Sequence, residues 1–243
     1  MKDVQKLIEV IPEENRKNTF IIAMDEVGRG SFFGPVSIGG VLFSLNELLN
    51  SAIYLTDDWQ KEVKDSKKLK APVRSRLALL IEKKYPSHVS HVSVGYINQY
   101  NINRAIQYGV YRTARNLISG LSRINKDYFV PFILLDGNYR FQYPALRMKE
   151  EMPSIYSIVK GDDKVFHISC ASIIAKEKRD AMIQKSSLKY VGYGFEKNAG
   201  YGTLEHRTAI SSMGPTRLHR KEYIRNIPKD TDFYSPAYLS SDH

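Results

Sequence analysis

The chain has 243 residues, enough for one domain with a substantial core plus short appendages, and its 42% hydrophobic and 26% charged residues exclude wholesale disorder. Its 36 Lys and Arg against 26 Asp and Glu give a net charge of +10, which favours a polyanionic partner through electrostatic steering and counterion release. Cys170 is the only cysteine, so an intrachain disulfide and a cysteine-based zinc cluster are excluded; with no apolar run long enough to span a bilayer and no secretory pattern at the N-terminus, the expected compartment is the cytoplasm.

Residues 1–18 are charge-rich, with Val4, Leu7, Ile8 and Ile11 spaced for a surface helix ending before Pro12. The apolar run Phe20–Met24 reads as a core strand, and it ends on two adjacent acids, Asp25 and Glu26. Gly28, Gly30, Gly34 and Pro35 then turn the chain into a second apolar run that reaches Phe43. Carboxylates at the tip of a core strand repel one another and are costly unless solvated, paired or coordinating a cation. The pair therefore sits on a solvated loop or holds a divalent ion such as Mg²⁺, which takes one or two carboxylates plus phosphate oxygens.

Further along, Leu45, Leu48 and Leu49 suit a short helical turn, and Trp59 is read as packing. Asp65-Ser66-Lys67-Lys68-Leu69-Lys70 is a cationic loop feeding a helix that starts near Pro72 and runs through Leu77, Leu80 and Ile81. Such a loop is either plainly solvated or a phosphate-backbone contact. Alternation over His88–Ile97 predicts a half-buried strand; His88 and His91, three apart on it, point to opposite faces and cannot share a metal. Ile106, Val110, Ala114, Leu117, Ile118 and Leu121 recur at helical spacing, predicting an amphipathic helix from Ile102 to about Gly120.

Phe129–Leu135 repeats the logic of the first strand and again ends in an acid and a glycine, Asp136-Gly137. If the two strands are neighbours, Asp136 lies beside Asp25 at one sheet edge. Ser154–Val159 reads as a short strand leading into Lys160-Gly161-Asp162-Asp163, and Val165–Asp180 as a helix whose small residues let its backbone approach the sheet, with Cys170 as buried packing. Tyr201 sits among glycines, suited to covering a sugar or base or equally to burial, and beyond Ile227 periodicity is lost.

Several of these stretches together resemble the ribonuclease HII family over roughly residues 20 to 223. The matching motifs are Asp25-Glu26-Val27-Gly28-Arg29-Gly30 with Gly34-Pro35, then Asp65-Ser66-Lys67-Lys68-Leu69, and the L-x-D-G of Asp136-Gly137. They continue with Val159-Lys160-Gly161-Asp162, followed by A-S-I-x-A-K-x-x-R-D from Ala171 to Asp180, and with G-Y-x-T-x-x-H and G-x-x-x-x-H-R around Tyr201, His206, His219 and Arg220. The resemblance implies an α/β ribonuclease H-like fold, a mixed five-stranded sheet flanked by helices with a small helical C-terminal extension. The corresponding boundaries are 1–18 for an N-terminal extension, 19–190 for the catalytic domain, 191–226 for a substrate-covering part and 227–243 for a flexible tail.

By the same resemblance Asp25, Glu26, Asp136 and Asp162 are the catalytic acids and ligands of two divalent ions, Mg²⁺ or Mn²⁺. Gly28, Arg29 and Gly30 are the contacts to the ribose 2′-hydroxyl and phosphate, Tyr201 stacks on the following sugar, and Lys67, Lys68, Ser172 and Lys176 are further substrate contacts. The implied activity, of a monomer, is endonucleolytic hydrolysis of the RNA strand of RNA–DNA hybrids and incision 5′ of single ribonucleotides in duplex DNA, leaving 5′-phosphate and 3′-hydroxyl ends. Ala199 departs from the pattern, since many members carry a long residue there. The alternatives are ribonuclease HIII, which has a long N-terminal substrate-binding domain, a binding protein without catalysis, and a nuclease of the same fold that cuts all-DNA substrates.

Overall fold

The structure is a computed structural model that describes residues 9, 11–50, 56–63, 66, 68–141 and 152–228. Lys67, most of the expected N-terminal helix and residues 229–243 of the expected tail lie outside the described residues. In chain order the described elements are α1 Glu13–Arg16, β1 Thr19–Val27, β2 Val36–Ser44, α2 Leu45–Leu49, α3 Asp58–Lys61, α4 Ala71–Lys84 and β3 Ser87–Val92. Then follow α5 Val94–Tyr100, α6 Ile102–Leu121, β4 Phe129–Asp136, β5 Ser154–Ile158, α7 Gly161–Lys164, α8 Phe166–Lys189, α9 Phe195–Asn198, α10 Leu204–Met213 and α11 Lys221–Ile224.

These elements form two compact units. The larger comprises Met1–Val27, Ser37–His91 and Ile106–Lys178; the smaller comprises Gly28–Val36, Val92–Ala105 and Arg179–His243. The smaller unit thus draws on three chain segments.

The larger unit holds a five-stranded mixed sheet in the order β3-β2-β1-β4-β5, as the family resemblance implied. β1 runs antiparallel to β2 and parallel to β4, and β4 runs parallel to β5. Ile21–Met24 and Ile133–Leu135 are essentially inaccessible to solvent, which is why these strands read as unbroken apolar runs rather than alternating ones. Two adjacent glycines let helices close on both faces. A Cβ at Gly39 would sit 2.3 Å from the Ala171 carbonyl oxygen and 2.8 Å from the Ala175 Cβ of α8, and one at Gly40 would sit 2.6 Å from the Thr113 Cγ2 of α6. The small residues of α8 therefore do what the sequence predicted, bringing its backbone onto the sheet.

The strand expected over 88–97 is half right. β3 stops at Val92, and α5 begins where the Ser93 hydroxyl accepts the Tyr96 amide, so a side-chain cap overrides an alternation that continues in the sequence. The helix expected over 165–180 extends to Lys189. Near the N-terminus Glu9, the described residue of the helix expected before Pro12, is helical, α1 follows Pro12, and Ile11 is buried in the core of the larger unit. The smaller unit has its own core of Phe33, Ile183, Tyr193, Phe195, Ala209 and Ile210. Among the described residues no helix is long and apolar enough to cross a membrane.

Candidate active site

The parallel register between β1 and β4 sets Met24 opposite Leu135, so Asp25 and Asp136 come next on adjacent strands. Asp25 also faces Gly39 across the antiparallel ladder, on the side where α8 approaches closely. That approach puts the Ser172 hydroxyl in a hydrogen bond with the Asp25 carboxylate and 2.8 Å from the hydroxyl of Ser66. The Glu26 amide donates to Asp25 Oδ1 at 2.7 Å. Beyond β5, Lys160 adopts a left-handed conformation at φ 54° and turns the chain so that the Gly161 amide donates to Asp136 Oδ1 at 2.5 Å. Asp162 follows in the single turn α7, with its carbonyl bonded by the Ser169 hydroxyl. Acids from β1, β4 and α7 are in this way drawn to one region of the larger unit.

Their proximity is felt electrostatically. Burial above all, then the negative charge of Glu26, with smaller contributions from Asp136 and Asp162, pushes the Asp25 carboxyl well above the usual carboxylate range; only the Ser172 hydrogen bond works against this. Asp25 is 6% exposed. Among the described residues no three His, Cys, Asp or Glu side chains are already arranged as a cage for an ion. The donor chemistry nevertheless fits one. Carboxylate oxygens without nitrogen or sulfur are the set that Mg²⁺ and Mn²⁺ take, and a divalent cation relieves the repulsion that raises Asp25.

Of the other predicted residues in the larger unit, Ser172 is buried among the acids, Lys176 is half-buried on α8, and Lys68 is exposed and 3.5 Å from Asp163. Gly28, Arg29, Gly30 and Tyr201 belong to the smaller unit. There Ser31 bridges to Tyr201, Gly28 holds φ +85°, and the exposed Arg29 guanidinium donates to Asn103 Oδ1 at 3.2 Å. Ala199, where the family pattern is broken, has a left-handed φ of 48° and closes α9.

Sequence reasoning assigned no role to His206 and His219, which are buried and joined Nε2 to Nε2 at 3.0 Å. The Tyr201 carbonyl can only accept, at 2.9 Å from His206 Nδ1, and the Thr216 amide can only donate, at 2.8 Å from His219 Nδ1. Both tautomers follow, and the pair forms one directional chain ending on the Tyr201 backbone. Burial, then the neighbouring His206, pushes His219 down to about 3. Because the folded value lies below the free one, the neutral ring contributes fully above about pH 6.5, and the contribution is lost as pH falls from there towards 3. Melting temperature should fall with acidification more steeply in the native protein than in His219→Phe, by up to one proton's slope of about 1.4 kcal/mol per pH unit. Equal slopes in thermal melts from pH 7 to pH 4 would show that His219 titrates normally. Arg179 and Arg220 were likewise quoted only as parts of motifs; nothing in the periodicity marks either charge as buried.

The sequence pattern of the ribonuclease HII family matches residues 22–226. The chain is 34% identical over 220 residues to the ribonuclease HII of Synechococcus sp. (strain CC9902), covering 90% of this chain and 98% of that protein. Its fold is similar to the crystal structure of ribonuclease H2 from Pyrococcus horikoshii OT3, with a TM-score of 0.57 and 23% identity over 86% of this chain and 96% of that one. It is also similar to Bst-RNase HIII in complex with Mn²⁺, with a TM-score of 0.57 and 19% identity over 88% of this chain and 67% of that one. With its mixed sheet, its convergent acids and a family match over most of its length, the chain belongs to the ribonuclease HII family and is a metal-dependent endoribonuclease of the ribonuclease H type.

Proposed function

We propose that the protein hydrolyses the RNA strand of RNA–DNA hybrids and incises 5′ of single ribonucleotides embedded in duplex DNA, leaving 5′-phosphate and 3′-hydroxyl ends. The roles this supports are ribonucleotide excision and removal of RNA primers. The observation that carries the reading is the buried Asp25 carboxylate, crowded by Glu26, Asp136 and Asp162 in a protein that is otherwise strongly cationic. Asp25, Glu26, Asp136 and Asp162 would hold two divalent ions, Mg²⁺ or Mn²⁺. When bound, such ions supply Lewis acidity to a phosphodiester and a nucleophile at neutral pH.

The chain's own residues do the rest. Ser172 orients the Asp25 carboxylate, and the Gly161 amide orients that of Asp136, so two of the four donors are fixed before any ligand arrives. Gly28, Arg29 and Gly30 contact the ribonucleotide, where the 2′-hydroxyl is the group that separates RNA from DNA. The Arg29 guanidinium is exposed and able to take a phosphate bidentately. Tyr201 stacks on the next sugar, its backbone held by His206. Lys68 and Lys176 add charge for the duplex backbone. We place the activity in the cytoplasm, since Cys170 is buried as a free thiol and suits a reducing compartment.

The test is incubation with Mg²⁺ of a DNA duplex containing one ribonucleotide, beside an all-DNA duplex and an RNA–DNA hybrid. Nicking 5′ of the ribonucleotide and within the hybrid, with the all-DNA duplex intact, is the expected outcome. Cutting of the all-DNA duplex would replace this reading with that of a general nuclease.

A further inference from the structure

Gly28–Val36 is a loop that lends few of its hydrogen bonds to regular structure. Its amides are partly met from outside: Phe32 N and Phe33 N donate to the Gly200 carbonyl at 2.9 and 3.1 Å, and Gly34 N to Leu218 at 2.9 Å. Its carbonyls are met by two arginines. Arg179 donates from Nε to Pro35 at 3.1 Å, from Nη2 to Phe33 at 3.2 Å and to the Ser31 hydroxyl at 2.7 Å, and from Nη1 to the Ala199 carbonyl at 3.1 Å. Arg220 donates from Nε to Gly34 at 3.0 Å and from Nη1 to Arg29 at 2.8 Å.

Both arginine side chains are at 0% exposure, which is unusual for a charged group. Among the described residues the one ion pair either makes is Arg179 with Asp180, at 4.0 Å. Among the described residues Arg220 Nη2 is buried with no hydrogen-bond partner. A loop could be packed more cheaply with apolar side chains, because two desolvated like charges are an expensive way to satisfy carbonyls. What they provide that apolar packing cannot is a fixed direction for each peptide plane. The Arg29 carbonyl is the clearest case, held at 2.8 Å by both Arg220 Nη1 and the Tyr223 hydroxyl. In a trans peptide the following N–H points the opposite way, so the Gly30 amide is turned away from Arg220. Gly30 is exposed, and a Cβ placed on it would meet nothing within 4 Å.

We propose that Arg179 and Arg220 are positioning residues for substrate choice, a pair of buried guanidinium groups that lock Gly28–Pro35 by its carbonyls so that Gly30 presents its amide, and Arg29 its side chain, to a ribonucleotide in one conformation. This rests on the reading that the Gly28-Arg29-Gly30 segment contacts the ribonucleotide. The two positive charges also favour the approach of a phosphate to the loop. Tyr223 is a supporting member, since it shares the Arg29 carbonyl without carrying a charge.

The experiment compares native protein, Arg220→Lys and Tyr223→Phe. For each, thermal melting is recorded, together with KM and kcat on a duplex with one ribonucleotide and the inhibition constant of the same duplex made wholly of DNA. Arg220→Lys keeps the charge but loses the fork that holds two carbonyls. The ratio of inhibition constant to KM should fall about tenfold or more in Arg220→Lys, and about fivefold in Tyr223→Phe, the worth of one hydrogen bond. A ratio unchanged within about twofold in both variants, or equal weakening on both duplexes, would mean that the arginines merely support the fold. Should Arg220→Lys fail to fold, Tyr223→Phe decides the matter. A native protein that shows no preference for the ribonucleotide duplex would instead overturn the functional reading itself.

Discussion

Asp25→Asn should abolish cleavage, lowering kcat by roughly three orders of magnitude or more, while raising the melting temperature of the metal-free protein. Both halves come from one cause. The carboxylate is buried and faces Glu26, Asp136 and Asp162, so its charge is a liability in the absence of a cation. Its folded pKa lies above the unfolded one, which means that the folded state holds the proton more strongly. The stability associated with that proton is complete below the ordinary carboxylate value of about 4 and is lost as pH rises towards the raised folded value. An amide cannot ionise, so the advantage of Asp25→Asn over the native protein should widen from acidic to neutral pH. Millimolar Mg²⁺ or Mn²⁺ should then raise the melting temperature of the native protein and leave that of the variant nearly unchanged. Asp163→Asn is the control: Asp163 is exposed, pairs with Lys68 across 3.5 Å, and should be dispensable. Melts and cleavage rates of the three proteins, with and without metal, check the whole set. A stabilised variant that still cleaves would remove Asp25 from the chemistry.

The acids were legible in the sequence because each breaks a local rule: Asp25 and Asp136 terminate runs that are otherwise wholly apolar, and charge in that position calls for an explanation. Their adjacency followed from the expectation that the two runs pair, which the parallel register of β1 and β4 bears out. Asp162 was reachable only through the family pattern, since a pair of acids near a helix start is ordinary and the contact that draws α7 in, the Gly161 amide on Asp136, depends on a left-handed Lys160 that no propensity signals. The end of β3 was misjudged because alternation continues past Val92 while the Ser93 cap decides the matter. Arg179, Arg220, His206 and His219 escaped for a common reason. Polar residues outside apolar runs read as surface, and only the fold reveals that the arginines are buried against carbonyls distant in sequence, as Arg220 to Arg29 shows, and the two histidines against each other.

Two alanine substitutions in the same loop should behave in opposite ways. At Gly28 the backbone holds φ +85°, and an added Cβ would lie 2.2 Å from Arg179 Nε and 2.7 Å from its Cζ. The guanidinium cannot swing aside without releasing Pro35, Phe33, Ser31 and Ala199 together. Gly28→Ala therefore combines left-handed strain of about 1–2 kcal/mol with an overpacking cost of about 1–3 kcal/mol. At roughly 2–4 °C per kcal/mol for a chain of this size, the melting temperature should drop by about 4–20 °C. Gly30→Ala meets nothing within 4 Å, so its stability should stay within about 0.5 kcal/mol of native. Its effect belongs to the substrate instead: a methyl group at an exposed position that approaches a ribose should raise KM on the ribonucleotide duplex about tenfold, the weight of one lost close contact. The two melts and two KM values separate the roles that neighbouring glycines play. Gly28 keeps the loop's shape by leaving room for Arg179, and Gly30 leaves room for the nucleic acid. If Gly30→Ala cleaves with native KM, the ribose does not approach this segment; if Gly28→Ala melts like the native protein, the loop is not held by the buried guanidinium.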